Sequence, residues 1–291
     1  MKQQKNILIF NMGSLSFNKG KEIANIYKED SDKTERLVTK IKIETSFKND
    51  PEKNETSKKD SNLSIVQTVF TLPDGYKMRI SPTHEQDQNF RMVIIGVSGS
   101  GKSTFAKNFI LDYKKKYPKK DVFLFSRHDS DPSIDDAKPT RIKITEQEVA
   151  QSIKSRQPIF ENKNLAKSLI IFDDTFSSQS KLLTNFWDTL AMDLYQNARK
   201  LEIDLIFLMH NTNYSKTRIL MSEASSFVFF MNGNSKAMFS RLLEGYIGIK
   251  DAKVRKKLFN LPSRYVVFGN TAPLYILTET QVFPGSYFDE D

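Results

Sequence analysis

The run Gly96-Val97-Ser98-Gly99-Ser100-Gly101-Lys102-Ser103 constrains this chain more than any other, because it completes the pattern G-x-x-x-x-G-K-[ST] directly after the apolar stretch Met92-Val93-Ile94-Ile95. Small residues let the backbone curl so that successive N–H groups converge on phosphate oxygens, and a helix opening there adds the positive end of its dipole. A buried strand, a glycine turn and a helix are required in that order. Thr104 to Lys116 supplies the helix, with Phe105, Phe109, Ile110 and Tyr113 at helical spacing ahead of Pro118. Ser98, Gly99, Ser100, Gly101, Lys102, Ser103 and Thr104 are the expected nucleotide-binding residues. Lys102 would reach the β- and γ-phosphates of ATP, and the Ser103 hydroxyl would ligate Mg²⁺.

From residue 91 onward apolar strands alternate with helical patterns, which implies an α/β fold with a mainly parallel central sheet covered by helices on both faces. The strands are expected at Met92 to Ile95, Val122 to Ser126, Leu169 to Phe172, Ile203 to Met209 and Phe227 to Met231. Thr145-Glu146-Gln147-Glu148 reads as a capping box opening a short helix to about Lys154. Lys181 to Lys200 carries Leu182, Leu183, Phe186, Trp187, Leu190, Leu194, Tyr195 and Ala198 on one stripe, read as core. Arg264 to Phe268 and Leu274 to Leu277, separated by Thr271-Ala272-Pro273, suggest a C-terminal β-hairpin. Val66 to Leu72 and Tyr76 to Ile80, around Pro73-Asp74-Gly75, suggest another.

Residues 46 to 61 are almost wholly polar and read as a linker. Ahead of them, Asn6 to Asn11 and Leu37 to Ile43 could each form a short strand. The expected division is an N-terminal extension at 1–60, partly disordered, and a P-loop domain at 61–291. Of the net charge of +9, residues 91 to 291 carry +7, so the basic excess travels with the phosphate loop and favours a polyanionic partner. There is no cysteine, hence no disulfide and no cysteine metal site, and no apolar run approaches the ~20 residues that span a bilayer. The chain is expected to be soluble and intracellular, with no membrane insertion.

Seventy-one positions after Lys102, the strand Leu169-Ile170-Ile171-Phe172 runs into Asp173-Asp174. A carboxylate at the end of such a strand is placed to hold Mg²⁺, which is the role expected of Asp173. Asp174 either polarises an attacking water as general base or caps the following turn. The pair favours hydrolysis over transfer to a metabolite, the reaction of a small-molecule kinase. The strand from Ile203 ends in His210. If it lies between the loop strand and the Asp173 strand, as in additional-strand P-loop ATPases, His210 would sit beside the γ-phosphate; otherwise it is a structural histidine. Arg199 either complements the helix dipole or reaches a neighbouring subunit's nucleotide as an arginine finger.

Gly96 to Thr104, Leu169 to Asp174, and Gln196-Asn197-Ala198-Arg199 followed by the strand ending at His210 together resemble the viral genome-packaging ATPases of the FtsK/HerA superfamily, the poxvirus-type motors of large DNA viruses and virophages. The resemblance covers roughly residues 90 to 245. It implies a RecA-like P-loop NTPase fold of the additional-strand class, with Lys102, Asp173, Asp174, Arg199 and His210 as catalytic residues, Arg199 as finger and His210 as sensor where the wider superfamily often has glutamine. It also implies a homo-oligomeric ring of five or six copies that hydrolyses ATP to drive double-stranded DNA into a capsid, in contact with capsid proteins, in a virion or at a viral assembly site. Cellular or plasmid DNA-transfer ATPases share the same motifs. Basic groups for DNA phosphates stand at Lys114, Lys115, Lys116, Lys119 and Lys120, and at Lys250, Lys253, Arg255, Lys256 and Lys257, each cluster being otherwise a solvated face.

Overall fold

A computed structural model describes residues 13–30, 34–45, 69–83, 89–175, 180–210, 217–271 and 273–285. The chain forms two compact units, Ser81–Val267 and a discontinuous one made of Met1–Ile80 with Phe268–Asp291. The boundary expected at residue 60, the linker at 46–61 and the strand expected at Asn6 to Asn11 lie outside the described residues. In chain order the elements are β1 (Gly13–Ser16), β2 (Lys21–Glu29), β3 (Glu35–Thr45), β4 (Phe70–Thr71), β5 (Tyr76–Ile80), β6 (Arg91–Ile95), α1 (Lys102–Lys116), β7 (Asp121–Ser126), α2 (Pro132–Asp135), β8 (Thr140–Ile142), α3 (Glu146–Ser155), β9 (Ser168–Asp173), α4 (Lys181–Leu201), β10 (Asp204–Met209), α5 (Thr217–Ser222), β11 (Ser226–Phe230), α6 (Lys236–Leu242), α7 (Ala252–Phe259), β12 (Tyr265–Gly269), β13 (Tyr275–Leu277) and β14 (Gln281–Pro284).

In the larger unit the strand order is β12-β11-β6-β10-β9-β7-β8. Strand β10 runs parallel between β6 and β9, and β11–β6, β9–β7 and β7–β8 are also parallel pairs. Every residue of β9, β10 and β11 is buried, as expected of parallel strands covered on both faces.

Register assigns the helices to their faces. Phe125, Phe172 and Phe207 are aligned across β7, β9 and β10, and their rings stack at 5.3 Å and 5.1 Å. Trp187 and Tyr195 of α4 cover that row. Phe229, aligned with Ile95 on the same face, packs on Phe239 of α6. The opposite face carries Phe230, which meets Phe105 of α1. The sheet is therefore a filled layer between α4 and α6 on one side and α1 on the other, an α/β architecture of the additional-strand type.

Local signals account for the helix ends. Thr145 and Glu148 close the anticipated capping box on α3, and Arg156 ends it in a left-handed conformation. Of the α4 stripe, Trp187, Leu190, Leu194, Tyr195 and Ala198 are buried, whereas Leu182, Leu183 and Phe186 are half-buried.

The smaller unit contains an antiparallel sheet β1-β3-β2-β5 and an antiparallel set in which β14 pairs with both β13 and β4. The strand at 37–43 is thus realised within β3, and the strands expected at 264–268 and 274–277 are realised as β12 and β13; β13 forms an antiparallel pair with β14, a strand not anticipated from the sequence. Among the described residues, β4 and β5 do not pair with each other, so the hairpin anticipated between Val66–Leu72 and Tyr76–Ile80 is not seen there; Val66 to Thr68 lie outside the described residues. Pro73-Asp74-Gly75 does turn the chain, with Tyr76 N–H donating to Pro73 O at 3.3 Å and Gly75 at φ 82°. The flanking strands then separate: β4 joins β14, while β5 joins β2 and places Met78 and Ile80 against Ile26 and Ala24. Burying those four side chains outweighs closing a two-stranded ribbon, which is marginal in isolation.

Candidate nucleotide site

The site lies at the carboxyl ends of β6, β10, β9 and β7, where open α/β sheets present their ligand crevice. After β6 the chain needs two left-handed residues to curl into α1, and glycine supplies both: Gly99 at φ 73° and Gly101, the N-cap of α1, at φ 105°. A Cβ on Gly96 would come within 2.4 Å of the Ser100 hydroxyl, so side chains are excluded there as well.

A cavity of about 420 Å³ opens on this loop. Ser98, Gly99, Gly101, Lys102, Ser103 and Thr104 form one wall, Asp173, Asp174 and His210 the floor, and the loop from His128 to Ser133 the far wall. Ser100 does not line it; its hydroxyl turns into the protein beneath the loop.

Register explains why these groups meet. Asp173 ends β9 opposite Ser126 of β7 and Leu208 of β10. His210 follows β10, whose neighbour on the other side is the loop strand, and Gly96 N–H donates to Met209 O at 3.1 Å. The inserted strand thus delivers His210 between the phosphate loop and the twin acids. The Lys102 amine donates to Gly96 O at 2.8 Å and Val97 O at 3.0 Å, and lies 3.2 Å from His210 Nδ1. His210 Nε2 lies 2.7 Å from Asp174 Oδ1. Asp174 itself takes a left-handed backbone, φ 53°, which turns its side chain out of the strand direction.

The electrostatics follow from burial. Desolvation pulls the Lys102 ammonium below the usual lysine range, opposed by the carboxylates of Asp174 and Asp173. The Asp173 carboxyl is pushed up to about 6, first by burial and then by the charges of Asp174 and Asp131, against Lys102 and His128. Asp131 and His128 are not anticipated from sequence: they follow β7 in a loop without a motif. Asp131 caps α2 by accepting from Ser133 N–H at 2.8 Å, which fixes the loop beside Asp173.

The donor set fits Mg²⁺. Ser103 offers a hydroxyl and Asp173 a carboxylate to one cavity, and three acids crowded there repel one another unless a cation is added. Among the described residues no group of three or more His, Asp or Glu side chains forms an all-protein metal site.

Arg199 stands apart. It is exposed in the last turn of α4, ahead of the start of β10, whereas the cavity lies beyond the end of that strand. Six strand residues at about 3.3 Å each put roughly 20 Å between the two edges, so Arg199 cannot reach its own chain's cavity. The basic clusters are partly consumed internally. Lys114 donates to Ala137 O and Lys138 O, Lys116 to Thr83, and Lys120 pairs with Asp204. Arg255 donates to Ile249 O and Lys250 O. Among the described residues no helix is long and apolar enough to cross a membrane.

Sheet order and site together define an additional-strand P-loop NTPase. The model of the Poxvirus A32 protein family matches residues 79–238, more than half of the chain, and the chain belongs to that family. Over 233 residues it is 28% identical to protein V3 of the Sputnik virophage, covering 78% of this chain and 86% of that one. The genome packaging NTPase B204 of Sulfolobus turreted icosahedral virus 2, solved in complex with AMPPCP, is similar at 14% identity and TM-score 0.43, covering 66% of this chain and 98% of that one. The conjugation coupling protein TcpA of pCW3 is similar at 14% identity and TM-score 0.42, covering 91% and 77%. The family match, rather than these distant structural likenesses, places the chain.

Proposed function

We propose that this protein is an ATP-hydrolysing motor that translocates double-stranded DNA into a viral capsid, and that the unit Ser81–Val267 carries the ATPase. The observation that carries the reading is the convergence of Lys102, Asp173, Asp174 and His210 on the phosphate-loop cavity, in a chain of the Poxvirus A32 family.

The loop N–H groups and the start of α1 would cradle the phosphates, with Lys102 drawn from its own loop carbonyls onto the β- and γ-oxygens. Ser103 and Asp173 would hold Mg²⁺, which when bound would offset negative charge on the transferring phosphoryl group. Asp174 would accept the proton of the attacking water, a contribution of about 10²- to 10⁴-fold for a general base. His210, at the end of the inserted strand, lies where a polar group can respond to the γ-phosphate. Arg199, too far from its own cavity, would stabilise transferring charge in a neighbouring copy's site, which requires an oligomer such as a ring of five or six. Capsid proteins are the partners such a motor would engage.

The test is translocation itself. ATP-dependent displacement of a third strand annealed to linear duplex DNA is expected of the native chain and not of Lys102→Ala. Equal displacement by both proteins would overturn the proposal.

A further inference from the structure

A second cavity lies away from the nucleotide. It is a groove of about 860 Å³ between the end of α3, the segment that follows it and the outer face of α4. Its floor is apolar, with Phe160, Leu190 and Met192, and its rim is acidic, with Glu161, Asp188 and Asp193. Asp193 is held by the side-chain amides of Asn162 and Asn197, which orient the carboxylate without cancelling its charge. In a chain of net charge +9 this is a local reversal of sign, and it selects a ligand that is apolar at its centre and cationic at its edges.

The same unit carries a matching surface on the other side of its sheet. Along α1, Lys107, Leu111 and Lys114 fall at i, i+4 and i+7 and so share one face. Leu111 is 37% exposed. Lys114 donates to the carbonyls of Ala137 and Lys138, which fix it but leave its charge, and Lys107 reaches the exposed Asp136 at 3.2 Å. An apolar knob flanked by cations faces outward from α1, and an apolar floor flanked by acids faces outward from α4.

We infer that the groove on α4 receives α1 of a second copy of this chain, with Leu111 entering against Leu190 and Met192, Lys107 toward Asp193 and Lys114 toward Asp188. The contact supplies the neighbour's surface for the assembly proposed above and rests on that reading. Because α1 and α4 cover opposite faces of the sheet, the contact is head-to-tail: each copy keeps one surface for the next, the arrangement that builds rings rather than closed pairs. The two helices run antiparallel. Leu111 lies nine residues, about 13.5 Å, beyond Lys102, and Met192 lies seven residues, about 10.5 Å, ahead of Arg199. Antiparallel seating therefore brings Arg199 to the start of the neighbour's α1, where that copy's phosphate loop ends; parallel seating would leave it at the far end.

The chain has no cysteine, so thiols introduced at the two surfaces report on this contact alone. Oxidative cross-linking of the full chain, with and without duplex DNA and a fluorescent ATP analogue, compares Leu111→Cys, Met192→Cys and the double variant. Expected are a ladder of covalent dimers, trimers and longer species from the double variant, dimers when the two single variants are mixed, and monomers from each single variant alone. Asp193→Lys should weaken self-association about tenfold or more by sedimentation, and adding Lys107→Glu to the same chain should restore most of it. A double variant that stays monomeric while binding the analogue, or a single variant that cross-links to itself as readily as the double, overturns the inference. So does an Asp193→Lys chain that associates like the native one, and that measurement decides alone should the double variant fail to bind the analogue. A ladder from a chain whose ATP hydrolysis ignores DNA leaves this contact standing and removes the motor reading instead.

Discussion

The Tyr113 hydroxyl donates to Asp204 Oδ2 at 2.5 Å, joining α1 to the first residue of the inserted strand at the sheet edge opposite the nucleotide cavity. Asp204 is fully buried and also accepts from Phe90 N–H at 2.8 Å, with Lys120 Nζ at 3.3 Å. Burial beside that carboxylate drives the Tyr113 hydroxyl far above the ordinary tyrosine range. The strand that delivers His210 is thus anchored at its far end by a satisfied buried charge.

Removing one partner of such a cluster strands the others. Asp204→Ala is expected to lower unfolding free energy by about 3 kcal/mol or more. Tyr113→Phe, which deletes one hydrogen bond to a charged group, should cost about 1.5 to 3 kcal/mol. Urea unfolding of both variants checks this; an Asp204→Ala variant as stable as the native chain would contradict it.

Asp173 makes stability depend on pH in the direction opposite to a salt-bridged acid. Its native pKa of about 6 lies above the ordinary aspartate value of about 4, so the folded state holds the proton longer than the unfolded one. Stability should fall as pH rises from about 4 through 6, by at most about 3 kcal/mol. Asp173→Asn should remove this component and so be the more stable protein at pH 7.5 in the presence of a chelator, although it loses Mg²⁺-dependent hydrolysis. Parallel denaturation curves at pH 4.5 and 7.5 for both proteins measure the difference; identical pH dependence would refute it.

Arg199→Ala should hydrolyse ATP slowly alone yet recover part of its activity when mixed with Asp174→Asn, because a mixed assembly contains sites with an intact base and a neighbour's intact arginine. Activity of the mixture no greater than the sum of its components would assign Arg199 to the helix dipole instead.

DNA binding should concentrate on lysines without an internal task. Lys115→Ala/Lys119→Ala on one side and Lys250→Ala/Lys253→Ala/Lys256→Ala on the other are expected to weaken duplex binding and flatten its salt dependence by about one unit of slope for each phosphate no longer neutralised. Titration of labelled duplex at several salt concentrations distinguishes the two faces. An unchanged slope in both variants would place the DNA elsewhere.

The phosphate loop, Asp173 and His210 are legible in the sequence because each is tied to a strand end, and a strand end fixes where a side chain emerges. The insertion of β10 between β6 and β9 can only be posed as a condition: order within a sheet depends on pairing between distant segments, not on local pattern. His128 and Asp131 escape a sequence reading because their loop carries no motif and joins the site only through the register of Ser126 with Asp173. The same limit explains β4 and β5, whose turn is legible but whose partners, β14 and β2, are set by tertiary burial. The lysine cluster after α1 looks uniform in sequence, and folding divides it, because Lys114, Lys116 and Lys120 find acceptors on other elements.

The central claim, that the cavity under the glycine loop powers movement along DNA, is tested most directly by steady-state ATP hydrolysis of the purified chain with and without double-stranded DNA. Turnover should rise several-fold with DNA, by analogy with a site whose charge stabilisation is completed on assembly, and should disappear in Lys102→Ala. Hydrolysis indifferent to DNA, or surviving the loss of Lys102, would contradict the account.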